Sequence, residues 1–221
     1  MTAPPWKPFC PLPRSLKPMK TSHLIAILLV IFLGGAALYV ATDMMLPGPK
    51  EDRGSGQPSV GGPFSLTNHL GQRVTEKSFA GKYMLVYFGY TFCPDVCPTE
   101  LQLISEALDL LGKDADQVTP IFITVDPKRD NAEVMRDYVK VFNDRLVGLT
   151  GTEAEIKAAA KAYKVYYNPS KDGDAENYLM DHSSITFLMD RQGRYAAHFS
   201  YGSKPEVMAA RIRKFLKAEK D

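Results

Sequence analysis

Cysteine is scarce in this chain, with three in 221 residues. A small scaffold stapled by several disulfides is therefore excluded, and each cysteine needs its own explanation. A dominant charge is also missing. The formal net charge is +2, so nucleic-acid binding is not expected. The 16 glycines and 16 prolines follow no collagen-like period, and no internal repeat is found. What remains is ordinary globular material, 45% hydrophobic and 24% charged, which argues against wholesale disorder. The length suits one domain plus extras, at about 100–200 residues per domain.

The charges are unevenly placed. Residues 1–42 hold Lys7, Arg14, Lys17 and Lys20 and no acid, whereas the remainder is slightly acidic. Leu24 to Ala41 is an uncharged apolar run of 18 residues. As a helix it spans roughly 27 Å at ~1.5 Å per residue. With Ser22, His23 and Thr42 at its ends it suffices for the ~30 Å core of a bilayer. Residues 22–42 therefore read as a transmembrane anchor. The basic segment 1–21 belongs on the cytoplasmic side and the rest outside it. A cleaved signal peptide fits less well. The run is longer than a typical signal core, and cleavage after Ala41 places bulky Tyr39 three residues upstream of the cut, where a small residue is wanted. Cys10 precedes the run, so it is not a lipoprotein attachment site, and it reads as a free thiol on the reducing side. Residues 43–62, with three prolines, five glycines and two serines, read as a flexible linker.

Residues 63–221 are expected to form one domain. Phe64, Leu66 and Val74 flank a turn at Asn68–Gly71, suggesting a hairpin. Strands are expected at 83–88, 118–125, 146–149, 185–189 and 195–199. Helices are expected at 98–111, 132–142, 153–163 and 205–217, the last opened by Pro205. In the second helix Val134, Tyr138, Val141 and Phe142 read as the apolar side. The strand–helix–strand units imply a parallel core, and the last hairpin adds antiparallel strands. This is the element order of an α/β thioredoxin-like fold with an insertion, a mixed sheet flanked by helices.

Two cysteines, Cys93 and Cys97, lie four apart where a strand meets a helix. Positions i and i+4 share a helix face, so both sulfurs can point to one spot. The helix N-terminus favours thiolate over thiol. Spacing alone leaves three uses open: dithiol–disulfide exchange, binding of a soft metal ion, or an inert disulfide. Redox pairs normally have two intervening residues rather than three. Of the four histidines, His23, His69 and His198 read as ordinary. His182 differs, because it sits in the segment Tyr178–Ser184 that leads into a strand. In a thioredoxin-like sheet that segment lies beside the cysteine junction, where redox-active members of the fold place a cis-proline. This chain has no proline between Pro169 and Pro205. Two thiolates and one imidazole suit trigonal Cu(I) and leave zinc one ligand short of its usual closed set. Asp181 either orients His182 or only caps the loop.

The segments Cys93-Pro94-Asp95-Val96-Cys97-Pro98 and Asp181-His182-Ser183 strongly resemble the Sco/SenC family of copper-binding proteins. So do Gly89-Tyr90-Thr91-Phe92 and Asp126-Pro127-Lys128-Arg129-Asp130. The similarity runs over about residues 60–218. Asn131 stands where the family often has threonine, a position that is not a ligand. The tyrosine-rich stretch Tyr163–Tyr167 is also family-like, though by itself it reads as packing. The resemblance implies a copper metallochaperone binding one copper per chain, as Cu(I) or Cu(II), through Cys93, Cys97 and His182. It implies delivery to the dinuclear copper site of cytochrome c oxidase, with subunit II or another copper acceptor as partner and an upstream copper donor. The alternative is a thiol–disulfide oxidoreductase that reduces the acceptor's cysteines before metallation. A copper-dependent sensor or peroxide-handling protein is a weaker third option. The absence of a serine- and arginine-rich leader favours a bacterial inner membrane, with the domain in the periplasm, over a mitochondrial inner membrane.

Overall fold

The computed structural model describes residues 60–170 and 178–218. Cys10, the apolar run 22–42 and nearly all of the linker lie outside them. Among the described residues no helix is long and apolar enough to cross a membrane.

Among the described residues there are nine strands and four α-helices. They are β1 (Ser65–Asn68), β2 (Arg73–Thr75), β3 (Tyr83–Gly89), α1 (Val96–Leu111), β4 (Val118–Thr124), α2 (Ala132–Val139), β5 (Val147–Thr150) and α3 (Glu153–Ala162). Then come β6 (Tyr167–Pro169), β7 (Met180–His182), β8 (Ile185–Met189), β9 (Tyr195–Ser200) and α4 (Pro205–Ala218). All but β6 and β7, which were not expected, follow the expected order. A seven-stranded sheet runs β2-β1-β5-β4-β3-β8-β9. Its centre is parallel, β3 with β4 and β4 with β5, and its flanks are antiparallel.

The uninterrupted apolar run Tyr-Met-Leu-Val-Tyr-Phe explains why β3 sits mid-sheet. Every residue of that strand is buried, as strands covered on both faces require. Pro120 lies within β4, where its missing N–H threatens the ladder. The pairing of β4 with β5 starts only at Ile121, so no partner strand faces that nitrogen. On the other side Pro120 still meets Leu85 of β3 in register.

Two helices depart from expectation. The α2 helix stops at Val139 rather than 142, and its buried residues are Met135 and Val139. Val134 and Val141, expected on the apolar side, are 37% and 76% exposed. The cause is close approach to β5. Gly148 leaves so little room that an added Cβ would lie 3.0 Å from Val139 and 3.2 Å from Met135. Asn131 proves to be the N-cap of this helix, its side chain accepting the Val134 N–H at 3.0 Å. Asparagine and threonine both serve as N-caps, so the departure from the family pattern is neutral. The α1 helix begins at Val96, two residues earlier than expected, with Asp95 as N-cap. The pair β6–β7, which places Tyr167 opposite His182, is too short to leave a periodic signal.

Gly89 closes β3 directly against α1. A Cβ there would sit 2.8 Å from the Cys97 sulfur, 2.8 Å from Phe122 and 3.2 Å from Tyr87. All three neighbours are buried and cannot step aside. Gly89→Ala is therefore expected to destabilise the fold by about 2 kcal/mol, as overpacking typically does. The matching fall in midpoint is about 4–8 °C for a domain of this size, measured by thermal unfolding of the reduced protein. An unchanged midpoint would show that the junction has slack.

Candidate metal and thiol site

Where β3 ends, the chain turns through residues 90–95 into α1. Cys93 stays in that turn, and Cys97 is the second residue of the helix. The two are therefore not one helix face, as the spacing suggested. They meet because the turn folds back. The Cys97 backbone N–H, one of the unpaired donors of the first helical turn, donates to the Cys93 sulfur at 3.4 Å. Cys93 is half-buried and Cys97 is fully buried, and both thiols are free.

His182 closes β7 and reaches the same spot from eighty-five positions away. Its Nε2 lies 3.3 Å from the Cys97 sulfur. Two rings hold the imidazole by edge contacts, Tyr90 at 5.9 Å and 89° and Tyr87 at 6.2 Å and 69°. Its Nδ1 faces the Ser183 carbonyl oxygen at 3.3 Å. Asp181 is exposed, and the Nδ1 contact goes to Ser183 and not to the Asp181 carboxylate. Of the two readings left open for Asp181, orienting the imidazole therefore loses its support.

The pair shares one proton. Hydrogen bonds, first from Cys97, then from His182 and from the backbone N–H groups at the helix start, lower the Cys93 thiol to about 3. Cys97 moves the opposite way, because it donates to Cys93, is buried, and faces the charge that Cys93 carries. These opposite shifts favour the thiolate on the accessible Cys93 and the thiol on the buried Cys97. Among the described residues no group of three or more His, Cys, Asp and Glu side chains is already arranged to hold a metal ion. The three donors share one neighbourhood, but a metal entering it must first displace the Cys97 proton.

Two buried carboxyl groups brace the site, and sequence reading missed both roles. Asp130 takes the Thr91 N–H at 3.0 Å, the Thr91 hydroxyl at 2.5 Å and the Thr124 hydroxyl at 2.6 Å, so it ties the cysteine turn to β4. Glu100 accepts from Thr186 at 3.0 Å and from the Gly202 N–H at 3.1 Å, tying α1 to β8 and to the turn beyond β9. Burial pushes both carboxyl groups above their ordinary range. A clue to Glu100 was present, since it falls on the buried stripe of α1 beside Cys97, Leu101 and Ile104.

Cys93 and His182 line an open cleft of about 300 Å³ with Pro94, Leu179 and Ser184. A larger cleft of about 490 Å³ is walled by Asp126, Lys128, Tyr167 and Tyr178. It carries no thiol or imidazole, so size does not pick out the reactive place.

Fold and site together define a thioredoxin-like domain with a dithiol–imidazole centre at a strand-to-helix junction. The SCO1/SenC family model matches residues 52–217, and the chain belongs to that family. It is 42% identical over 165 residues to the mitochondrial SCO1 homolog of Homo sapiens, covering 74% of this chain and 55% of that protein. It is 39% identical over 184 residues to a SCO2-like protein of Rickettsia prowazekii, covering 79% and 88%. The chain thus spans a little over half of the human relative. Among solved structures, ScoI of Bradyrhizobium japonicum with copper bound is similar at 48% identity and TM-score 0.64, covering 71% of this chain and 99% of that one. ScoI of Arabidopsis thaliana with copper bound gives 39% and 0.68, covering 72% and 99%.

The lowered thiol has a measurable consequence. For an acid whose folded pKa is depressed, the charged form's contribution is complete above the ordinary thiol range and is lost as pH falls toward the folded value. In reduced, metal-free Cys10→Ser protein, iodoacetamide is expected to alkylate one of the two site cysteines at a rate nearly constant from about pH 8 down to about pH 5. Mass spectrometry should locate the label on Cys93, and Cys93→Ser should abolish the fast phase. A rate that drops roughly tenfold per pH unit over that span would mean an ordinary thiol.

Proposed function

We propose that the chain is a membrane-anchored copper metallochaperone in which Cys93, Cys97 and His182 bind one copper ion as cargo. The observation that carries this reading is the 3.3 Å approach of the His182 Nε2 to the Cys97 sulfur, at a spot Cys93 also shares. Soft thiolates with one neutral imidazole suit copper better than harder ions. The two similar ScoI proteins solved with copper bound support the choice of metal. Cys93 and Cys97 serve as thiolates, so the ligand set totals −1 with Cu(I) and is neutral with Cu(II). Either state is electrostatically tolerable. The half-buried Cys93 at an open cleft leaves copper accessible to an acceptor's ligands, as transfer by ligand exchange requires.

The family resemblance extends the proposal to the acceptor, the dinuclear copper site of cytochrome c oxidase, with subunit II as the partner and an upstream donor supplying the copper. Residues 22–42 are read as a single-pass anchor in a bacterial inner membrane. Residues 43–62 are then a tether and 63–221 a periplasmic domain. The human relative, by contrast, is named as mitochondrial.

A second reading, a thiol–disulfide oxidoreductase acting on the acceptor, is favoured by the asymmetry of the two thiols. The Cys93 thiolate attacks an acceptor disulfide and forms a mixed disulfide, with one acceptor sulfur leaving as thiolate. The Cys97 sulfur, on losing its proton, then displaces the second acceptor sulfur. The acceptor gains two electrons, Cys93 and Cys97 end as a disulfide, and an external dithiol must reduce them again.

Titration of the full chain in detergent, anaerobically with Cu(I) and aerobically with Cu(II), tests the first reading through absorption and spin-resonance spectra. One copper per chain is expected. His182→Ala should weaken Cu(II) about 100-fold, roughly 2.7 kcal/mol, and Cu(I) far less, because two thiolates still hold Cu(I) linearly. Equal losses for both ions would contradict the role given to His182. The same variant separates the readings. Reduction of a disulfide substrate that survives unchanged in His182→Ala marks the oxidoreductase activity as independent of the copper site.

A further inference from the structure

Arg129 supplies none of the proposed ligands, yet its guanidinium contacts both arms of the chain that carry them. From the turn bearing Cys93 come Phe92 and Tyr90, whose ring centroids lie 4.7 and 6.0 Å from the guanidinium carbon. From the segment that leads into β7 and His182 comes Tyr178, at 3.8 Å. Asp126, at the end of β4, pins the head by accepting from Nε at 2.5 Å, while the Tyr178 hydroxyl donates to its other oxygen at 2.8 Å.

The terminal nitrogens show how this head is held. Both Nη atoms are buried without a hydrogen-bond partner, and the side chain is 19% exposed. A guanidinium that pairs only through Nε forgoes the two-pronged grip that makes arginine a strong carboxylate partner. Beyond the single Nε–Asp126 bond, what holds the head is the attraction of a flat cation for ring faces, which strengthens when water is excluded. Phe92 is 55% exposed and immediately precedes Cys93. Tyr178 stands four residues before His182. Arg129 is thus in contact with one residue adjoining each side of the site.

We propose that Arg129 is a positioning residue that latches the cysteine-bearing turn to the histidine-bearing strand through its stacking on Phe92 and Tyr178. The latch is a property of the metal-free chain. Only its consequence for copper rests on the function proposed above.

Amide hydrogen exchange of the full, metal-free chain, read by mass spectrometry, tests the latch without copper. In Arg129→Met, peptides covering 90–95 and those covering 178–183 should both exchange about tenfold faster, the scale of one desolvated cation–ring contact, while β3 and β8 keep their protection. Loosening of neither arm, or of one arm alone, overturns the proposal. Arg129→Lys keeps the charge beside Asp126 but not the flat head, and it should behave like the methionine variant. Full protection in the lysine variant would mean that the ion pair holds the arms, which also overturns it. If Arg129→Met fails to fold, Phe92→Ala at the surface carries the test. It should loosen the 178–183 arm on the far side of the guanidinium, and no change there overturns the latch. With copper, Arg129→Met should alter the Cu(II) spin-resonance signature and weaken Cu(II) about tenfold, with Cu(I) within about threefold. A wild-type chain that binds no copper through His182 sinks the site reading, and the exchange data still decide the latch.

Discussion

The first turn of α1 leaves backbone N–H groups unpaired, and one of them points at the sulfur of Cys93. Much of the site's chemistry depends on that contact. It folds the turn back so that residues 93 and 97 meet although only one of them is helical. It places the more exposed sulfur in the positive end of the helix field, where a thiolate is favoured. It also leaves Cys97, donating its own proton from a buried position, as the neutral member of the pair. Two cysteines of the same chemistry thereby become unlike: Cys93 is half-buried and favoured as thiolate, while Cys97 is fully buried and favoured as thiol.

That asymmetry explains why a metal site and a redox site are hard to separate here. Ligand exchange with copper and disulfide exchange with a protein both begin with an accessible thiolate and both finish with a second, protected sulfur. His182 is the feature on which the proposed metal reading rests. An imidazole beside the buried sulfur adds a neutral donor that thiol chemistry alone does not need. The edges of Tyr87 and Tyr90 fix the ring in place. Asp130, Glu100 and Arg129 surround this centre without entering it. Asp130 ties the cysteine-bearing turn to β4, Glu100 ties α1 to β8 and the loop after β9, and the Arg129 guanidinium contacts both that turn and the segment before β7.

Much of the architecture was legible along the chain because it is written in long periodic stretches. The apolar run of β3, the stripe Leu101–Ile104–Leu108–Leu111, the turn Asp190–Gly193 and Pro205 at the head of α4 each carry a local physical signal. The reading failed where the signal was short or depended on a neighbour. Strands β6 and β7, three residues each, are too brief for alternation to show, although one of them presents His182. In α2 a helical wheel accommodates more than one apolar face. The close approach of Gly148, distant in sequence, chose Met135 and Val139 over Val134 and Val141.

The sequence by itself determined the strand-to-helix junction that holds Cys93 and Cys97, because residue type and local periodicity are properties of neighbours along the chain. It also carried the α/β order and the parallel core, since the lengths and alternation of elements restrict how a sheet can be wound. Only the tertiary structure decided which cysteine is favoured as thiolate, what holds the imidazole, and which buried groups brace the turn. Those outcomes depend on burial and on distances between residues far apart in sequence, and they arise only once β3, β4, β7 and α1 have converged on one place.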